Sequence, residues 1–151
     1  MNSTKSNWII ANLKHSGFYR VNYDMDNWNA LIATLNNVDF KLIDETSRSQ
    51  LIDDSYNLGR AEYIEQTVFL RVISYLRNAN NETTSDPYIV ALTGINYIRD
   101  MMSLTSSSNS STQDNLAARN LLSTFIQSLY KNSYARLNWK NITADEALSD
   151  M

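Results

Sequence analysis

The chain has 151 residues and a formal net charge of −3, with 43% apolar and 19% charged side chains, which fits one globular domain and excludes a coiled coil, a collagen or a highly charged disordered tail. Three glycines and one proline are few for the tight turns of a β-sandwich or barrel, so a mainly α fold is expected. The absence of cysteine removes disulfides, iron–sulfur clusters and thiol catalysis, and the mild acidity without a Lys/Arg cluster argues against a nucleic-acid partner.

Residues 1–7 are polar and are not expected to be a signal peptide. Trp8-Ile9-Ile10-Ala11-Asn12 is short and apolar, as strands are, and Leu13 to Gly17 has turn character, with Gly17 suited to positive φ. Phe18 to Tyr23 then alternates, placing Tyr19, Val21 and Tyr23 on one face. Residues 8–23 therefore read as one N-terminal β-hairpin. Asp24 or Asp26 caps a first helix carrying Trp28, Leu31, Ile32 and Leu35 and ending at Asn36-Asn37. A second helix is expected over 46–58, with Gly59 as its C′ stop, and a third over 61–76 with Ile64, Val68, Val72 and Tyr75 on one stripe.

Ser85-Asp86-Pro87 marks the start of a fourth helix, which runs to about residue 102. A serine-rich loop follows, then a fifth helix over 114–137. Thr143 and Glu146 form a capping box just before the sequence ends, which reads as a helix cut short and hence as a segment of something larger. No apolar run approaches the ~18–20 residues of a membrane span.

Few residues offer chemistry. A serine-protease triad would have to use His15, the one histidine, which sits in a short polar loop and reads as a solvated surface residue. Asp53 and Asp54 are neighbours on a helix and point ~100° apart, so they do not share one site; one is expected in water and the other on Arg48, Arg20 or a backbone donor. Arg20, Asn22 and Asp24 read as a network joining the hairpin to the first helix, with Asp24 near the helix N-terminus. Arg20, Asp24, Arg48, Asp53 and Asp54 are thus the candidate structural junction, with no catalytic, cofactor or metal residue expected. Tyr19, Tyr23, Trp28, Tyr56 and Phe69 read as core or interface rather than a ligand box. Asn2, Asn81, Asn109 and Asn141 begin N-glycosylation sequons, no more than chance expects from so much Asn, Ser and Thr.

Trp8-Ile9-Ile10-x-Asn12, the run Gly17-Phe18-Tyr19-Arg20-Val21-Asn22-Tyr23-Asp24, Asn27-Trp28, and Arg48-x-Gln50-Leu51-Ile52-Asp53-Asp54 together resemble the zinc aminopeptidases of the aminopeptidase N family. The match is strong over 8–61 and loose beyond. Ser55-Tyr56 and Gly59 depart from the family's usual Ala-Phe and Ala. The resemblance implies that residues 1–23 are the end of a β-sandwich domain. It makes residues 24–151 the start of a C-terminal helical domain of antiparallel helix pairs, α-solenoid-like and truncated. It further implies zinc in the parent enzyme, peptide substrate reached through that parent, the remainder of the parent as partner, and an extracellular or membrane-anchored ectodomain. The zinc motif H-E-x-x-H needs two histidines four apart, and this chain has one histidine in all, so no cofactor is expected here. The reading is a non-catalytic fragment contributing scaffold and cavity wall. The rival is a stand-alone helical protein-interaction module.

Overall fold

A computed structural model describes residues 8–37, 40–79, 82, 86–105 and 112–137. Five α-helices dominate: α1 (Met25–Leu35), α2 (Glu45–Arg60), α3 (Gln66–Ile73), α4 (Asp86–Thr105) and α5 (Thr112–Leu137). Short 3-10 turns lie at Leu13–His15, Phe40–Leu42 and Ser74–Arg77.

Helix starts follow side-chain capping. The Asp24 carboxylate accepts from the Asn27 N–H at 2.7 Å and begins α1. Asp44 accepts from the Ser47 N–H at 3.1 Å and from its hydroxyl at 2.6 Å, and begins α2 slightly before the expected position. On α1, Trp28, Leu31, Ile32 and Leu35 are buried, as their spacing requires. The core unites them with Phe40, Ile43, Leu51, Ile52, Tyr56, Val68, Phe69, Val72, Ile73, Tyr75 and Leu76, and with Tyr88, Ala91 and Ile95 of α4. α2 is the central element, packing on both α3 and α4. α5 seats Leu129 in the same core and joins its neighbours by Tyr130 Oη to the Tyr88 carbonyl at 2.9 Å and Asn132 Nδ2 to the Arg77 carbonyl at 2.9 Å.

Gly59 is not the stop of α2; it lies inside the helix, buried against Gln66. The chain instead reverses at Glu62, which takes φ 62°, and the Tyr63 N–H closes on the Leu58 carbonyl at 3.0 Å. That reversal also shortens the expected third helix. Residues 61–65 are turn, α3 begins at Gln66, and Ser74–Arg77 tightens into a 3-10 turn. Gly94 serves close approach: a Cβ there would meet Phe69 Cζ at 2.4 Å, so its absence lets α4 lie directly on the Phe69 ring.

The N-terminal β-hairpin does not form among the described residues. Residues 8–11 and 19–24 are neither helix nor strand; their side chains alternate, with Val21 and Tyr23 half-buried and Arg20, Asn22 and Asp24 exposed, but no ladder joins the arms. The reason is competition for backbone groups. Asn27 donates to the Ile9 carbonyl at 2.9 Å and accepts from the Ile9 N–H at 2.8 Å. The Ala11 N–H donates to Tyr23 Oη at 3.1 Å, and the Val21 N–H to Asp54 at 3.2 Å. Side chains have taken the partners that a second strand would supply. Gly17 does not carry the positive φ of the turn either; Asn12, Lys14 and His15 do.

Candidate functional site: the polar seam between the N-terminal segment and the second helix

Asn12 organises the turn. Its backbone is left-handed (φ 54°), a region in which Asn is one of the few tolerated side chains. Its Oδ1 accepts from the Gly17 N–H at 2.7 Å, and its Nδ2 donates to the carbonyls of Gly17 at 2.9 Å and Tyr19 at 3.0 Å. The loop so closed lies on α2, where the Lys14 N–H donates to Ser47 Oγ at 3.2 Å.

Further along the seam the two aspartates diverge. Asp53 faces outward, paired with Arg20 at 3.0 Å and accepting from Asn57 Nδ2 at 2.9 Å; with the Arg20 and Asp53 side chains 46% and 35% exposed, the ion pair contributes little to stability. Asp54 faces inward at 2% exposure, where it accepts from the Val21 N–H and from Gln50 Nε2 at 3.4 Å. Burial raises its pKa, against the lowering effect of those two hydrogen bonds. Asp24 stays with the α1 cap. Asn22 accepts from Trp28 Nε1 at 3.1 Å, and the Tyr23 and Trp28 rings meet edge-on at 5.1 Å. Of the aromatic set, Trp28, Tyr56 and Phe69 are buried, while Tyr19 is exposed.

Arg48 is not brought to the seam. It points to the opposite side of α2 and donates to Glu82, Nε to Oε2 at 2.9 Å and Nη2 to Oε1 at 2.7 Å, with Nη1 on the Ile43 carbonyl at 2.5 Å. The Phe40 ring lies 5.2 Å from its guanidinium carbon, and Tyr75 Oη donates to Glu82 at 3.4 Å. Burial alone would lower the Arg48 pKa, but the bonds to Glu82 outweigh it and the net direction is upward. Burial and the Glu82 charge likewise raise the Tyr75 pKa, so both groups keep their protons at ordinary pH.

His15 is exposed in its 3-10 turn, and among the described residues no three His, Cys, Asp or Glu side chains are grouped so that they could hold a metal ion. A zinc centre of the H-E-x-x-H kind does not fit this chain, and no step through zinc is derived from it. Asn2, Asn81, Asn109 and Asn141 lie outside the described residues, as do Ser85, Trp139 and the 143–146 capping box. No helix among the described residues is long and apolar enough to cross a membrane.

The seam's hydrogen bonds fasten the N-terminal segment to α1 and α2. Residues 8–150 match the model of the family described as the ERAP1-like C-terminal domain. The chain belongs to that family. This ERAP1-like domain is 36% identical over 96 residues to aminopeptidase Ey of Gallus gallus, covering 64% of the chain and 10% of that protein. It is 37% identical over 91 residues to a membrane alanyl aminopeptidase of Manduca sexta, covering 60% of the chain and 9% of that protein. It is 40% identical over 72 residues to the thyrotropin-releasing hormone-degrading ectoenzyme of Rattus norvegicus, covering 48% and 7%. The chain therefore spans about a tenth of the length of these relatives or less. The aminopeptidase N resemblance carried by residues 8–61 agrees with them, and the helical make-up is that of a C-terminal helical domain.

Two residues of the ERAP1-like domain were not singled out by spacing. Glu82 sits in an Asn- and Thr-rich stretch that reads as solvated loop, and nothing local marks it as the partner of Arg48 34 residues earlier. Asn27 carries no local signal beyond the Asn27-Trp28 pair. Its reciprocal bonds to Ile9 follow from its place in the first turn of α1.

Proposed function

We propose that this chain is a non-catalytic part of a zinc-dependent aminopeptidase, in which residues 1–23 end a β-sandwich domain and 24–151 open a helical domain of antiparallel pairs. In that reading Arg20, Asp53 and Asp54 form the junction between the two, with Asp24 starting the first helix and Arg48 bracing the far side of α2. The parent supplies the zinc site and meets the peptide; this segment is scaffold and cavity wall. By kinship with proteins named as membrane aminopeptidase and ectoenzyme, the parent is an ectodomain outside the cell or anchored at its surface.

One observation carries the reading. The N-terminal segment is held to α1 and α2 by side-chain bonds at Ile9, Lys14 and Val21 and closed on itself by the Ala11 to Tyr23 bond, yet it leaves Ile9, Leu13, Phe18 and Tyr19 exposed. A segment so firmly placed, with its large apolar side chains turned outward, suits a surface that the rest of the enzyme covers. The purified 151-residue chain is expected to bind no stoichiometric zinc and to show no turnover of an aminoacyl-anilide. Turnover that survives purification and disappears with a chelator would overturn the proposal.

A further inference from the structure

A hollow of about 250 Å³ opens between α4 and α5. α4 contributes Arg99, Met102 and Ser103, spaced i, i+3 and i+4. α5 contributes Arg119, Leu122, Ser123 and Ile126, spaced i, i+3, i+4 and i+7, so each set is one face of its helix. The two faces meet where Arg119 Nη2 donates to the Met102 carbonyl at 3.2 Å. Arg99 lies one turn before Met102 on the same face, so both guanidinium groups wall one small space. Arg99, Arg119 and Ser123 are all exposed, and a dissolved ligand can reach them. No Asp or Glu lines the hollow. Asp100 follows Arg99 but sits about 100° round the helix, and Arg99 makes no ion pair among the described residues. Two like charges facing one space repel each other, and an anion between them turns that repulsion into attraction. The Ser103 hydroxyl is spent on the Asp100 carbonyl at 2.7 Å, which leaves Ser123 as the lining hydroxyl able to donate. Half-buried Met102, Leu122 and Ile126 form an apolar floor.

We propose that this hollow binds a phosphate group. Arginine presents its N–H donors as a planar fork that matches phosphate oxygens in pairs, and Arg119 has more donors than the Met102 carbonyl takes. A phosphate monoester has three terminal oxygens and close to two negative charges at neutral pH, which answer two cations and the Ser123 hydroxyl. A carboxylate, with two oxygens and one charge, satisfies only part of that set. The apolar floor favours a phosphate carried on carbon over the free ion. The test does not depend on the aminopeptidase reading.

The full 151-residue chain is titrated with sodium phosphate and with n-butyl phosphate, using sodium acetate and sodium chloride as controls at matched ionic strength, and is followed by amide proton–nitrogen spectra. Saturable shifts confined to residues 99–103 and 119–126 are expected, with acetate at least about tenfold weaker. The two phosphates distinguish the sources: tighter n-butyl phosphate assigns the site to a phosphate ester, tighter inorganic phosphate to the free ion. Arg99→Gln and Arg119→Gln should each weaken binding about tenfold. Arg119→Gln also loses the bond to Met102, so if it disturbs the contact between α4 and α5, the exposed Arg99→Gln substitution decides. Equal shifts with acetate or chloride, shifts that never saturate, equal shifts around Arg20 and Arg60, or undiminished affinity in Arg99→Gln would overturn the proposal.

Discussion

Arg48 and Glu82 exchange two short hydrogen bonds with their side chains only 6% and 1% exposed. Each charge was desolvated to reach that position, and each is tolerable only because the other is there. Glu82→Gln should therefore cost about 3–5 kcal/mol in denaturant unfolding, while the paired apolar variant Arg48→Met with Glu82→Leu should recover much of the loss. Two aspartates on α2 and its cap make opposite predictions with pH. Burial alone would raise the Asp44 pKa, but the Ser47 hydrogen bonds and the charges of Lys14 and Arg48 take it below its ordinary value. Its contribution is then present above the unfolded value of about 3.9 and is lost as the pH falls through the lower folded value. Asp44→Ala should cost about 1 kcal/mol near neutral pH and progressively less in acid. Asp54 is shifted upward, so its contribution is full below about pH 3.9 and is lost as the pH rises through the raised folded value. Asp54→Asn keeps an acceptor for Val21 and should match or exceed the parent chain in stability at pH 7, with the parent gaining on it as the medium is acidified. Thermal melts at a series of pH values would read both.

At the scale of elements, the contact between α3 and α4 is set by the missing side chain at Gly94. Alanine favours helix over glycine by about 1 kcal/mol, yet the added methyl would press into Phe69, whose ring is fully buried. Gly94→Ala should be net destabilising, by about 1–3 kcal/mol in urea unfolding, because the ring has nowhere to move. Asn27→Leu removes both bonds to Ile9 and should open residues 8–20 to limited proteolysis while leaving the circular dichroism of the helices unchanged. These two sites also show what could be read beforehand. The stripes Trp28–Leu31–Ile32–Leu35 and Val68–Val72–Tyr75 predict their helices because helical period and burial report the same geometry. The alternation over 18–23 predicts which side chains face inward, and they do in part. It says nothing about which groups receive the backbone hydrogen bonds, and those decide whether the hairpin forms. Arg48 was legible as a residue with a role, but not its partner, since no local pattern links it to Glu82.

For the molecule as a whole, α2 is the hub. It touches the N-terminal turn, α3 and α4, and it holds both the polar seam and the buried ion pair on different sides. Native-state hydrogen exchange should find the slowest amides in the middle of α2, near Leu51 to Ser55, opening only with global unfolding. The exposed stretch of α5 around Leu116 and Leu121 should open at lower free energy, since among its described residues only Leu129 is fully buried in the core. Uniform protection along the chain would contradict this ordering.

The way the N-terminal segment is fastened bears on how it behaves beside other copies of itself. An extended apolar segment with unpaired N–H groups is a template on which a second chain can add a strand and begin an aggregate. Here the amides of Ile9, Ala11 and Val21 are already occupied by Asn27, Tyr23 and Asp54. Those partners come from fixed positions, at uneven intervals, and reproduce no register that a neighbour could copy. At these three positions the backbone is closed to strand addition, while Phe18 keeps its whole ring exposed. Removing Asn27 would release the Ile9 amide and removing Asp54 the Val21 amide, each then a place where a second chain could add a strand.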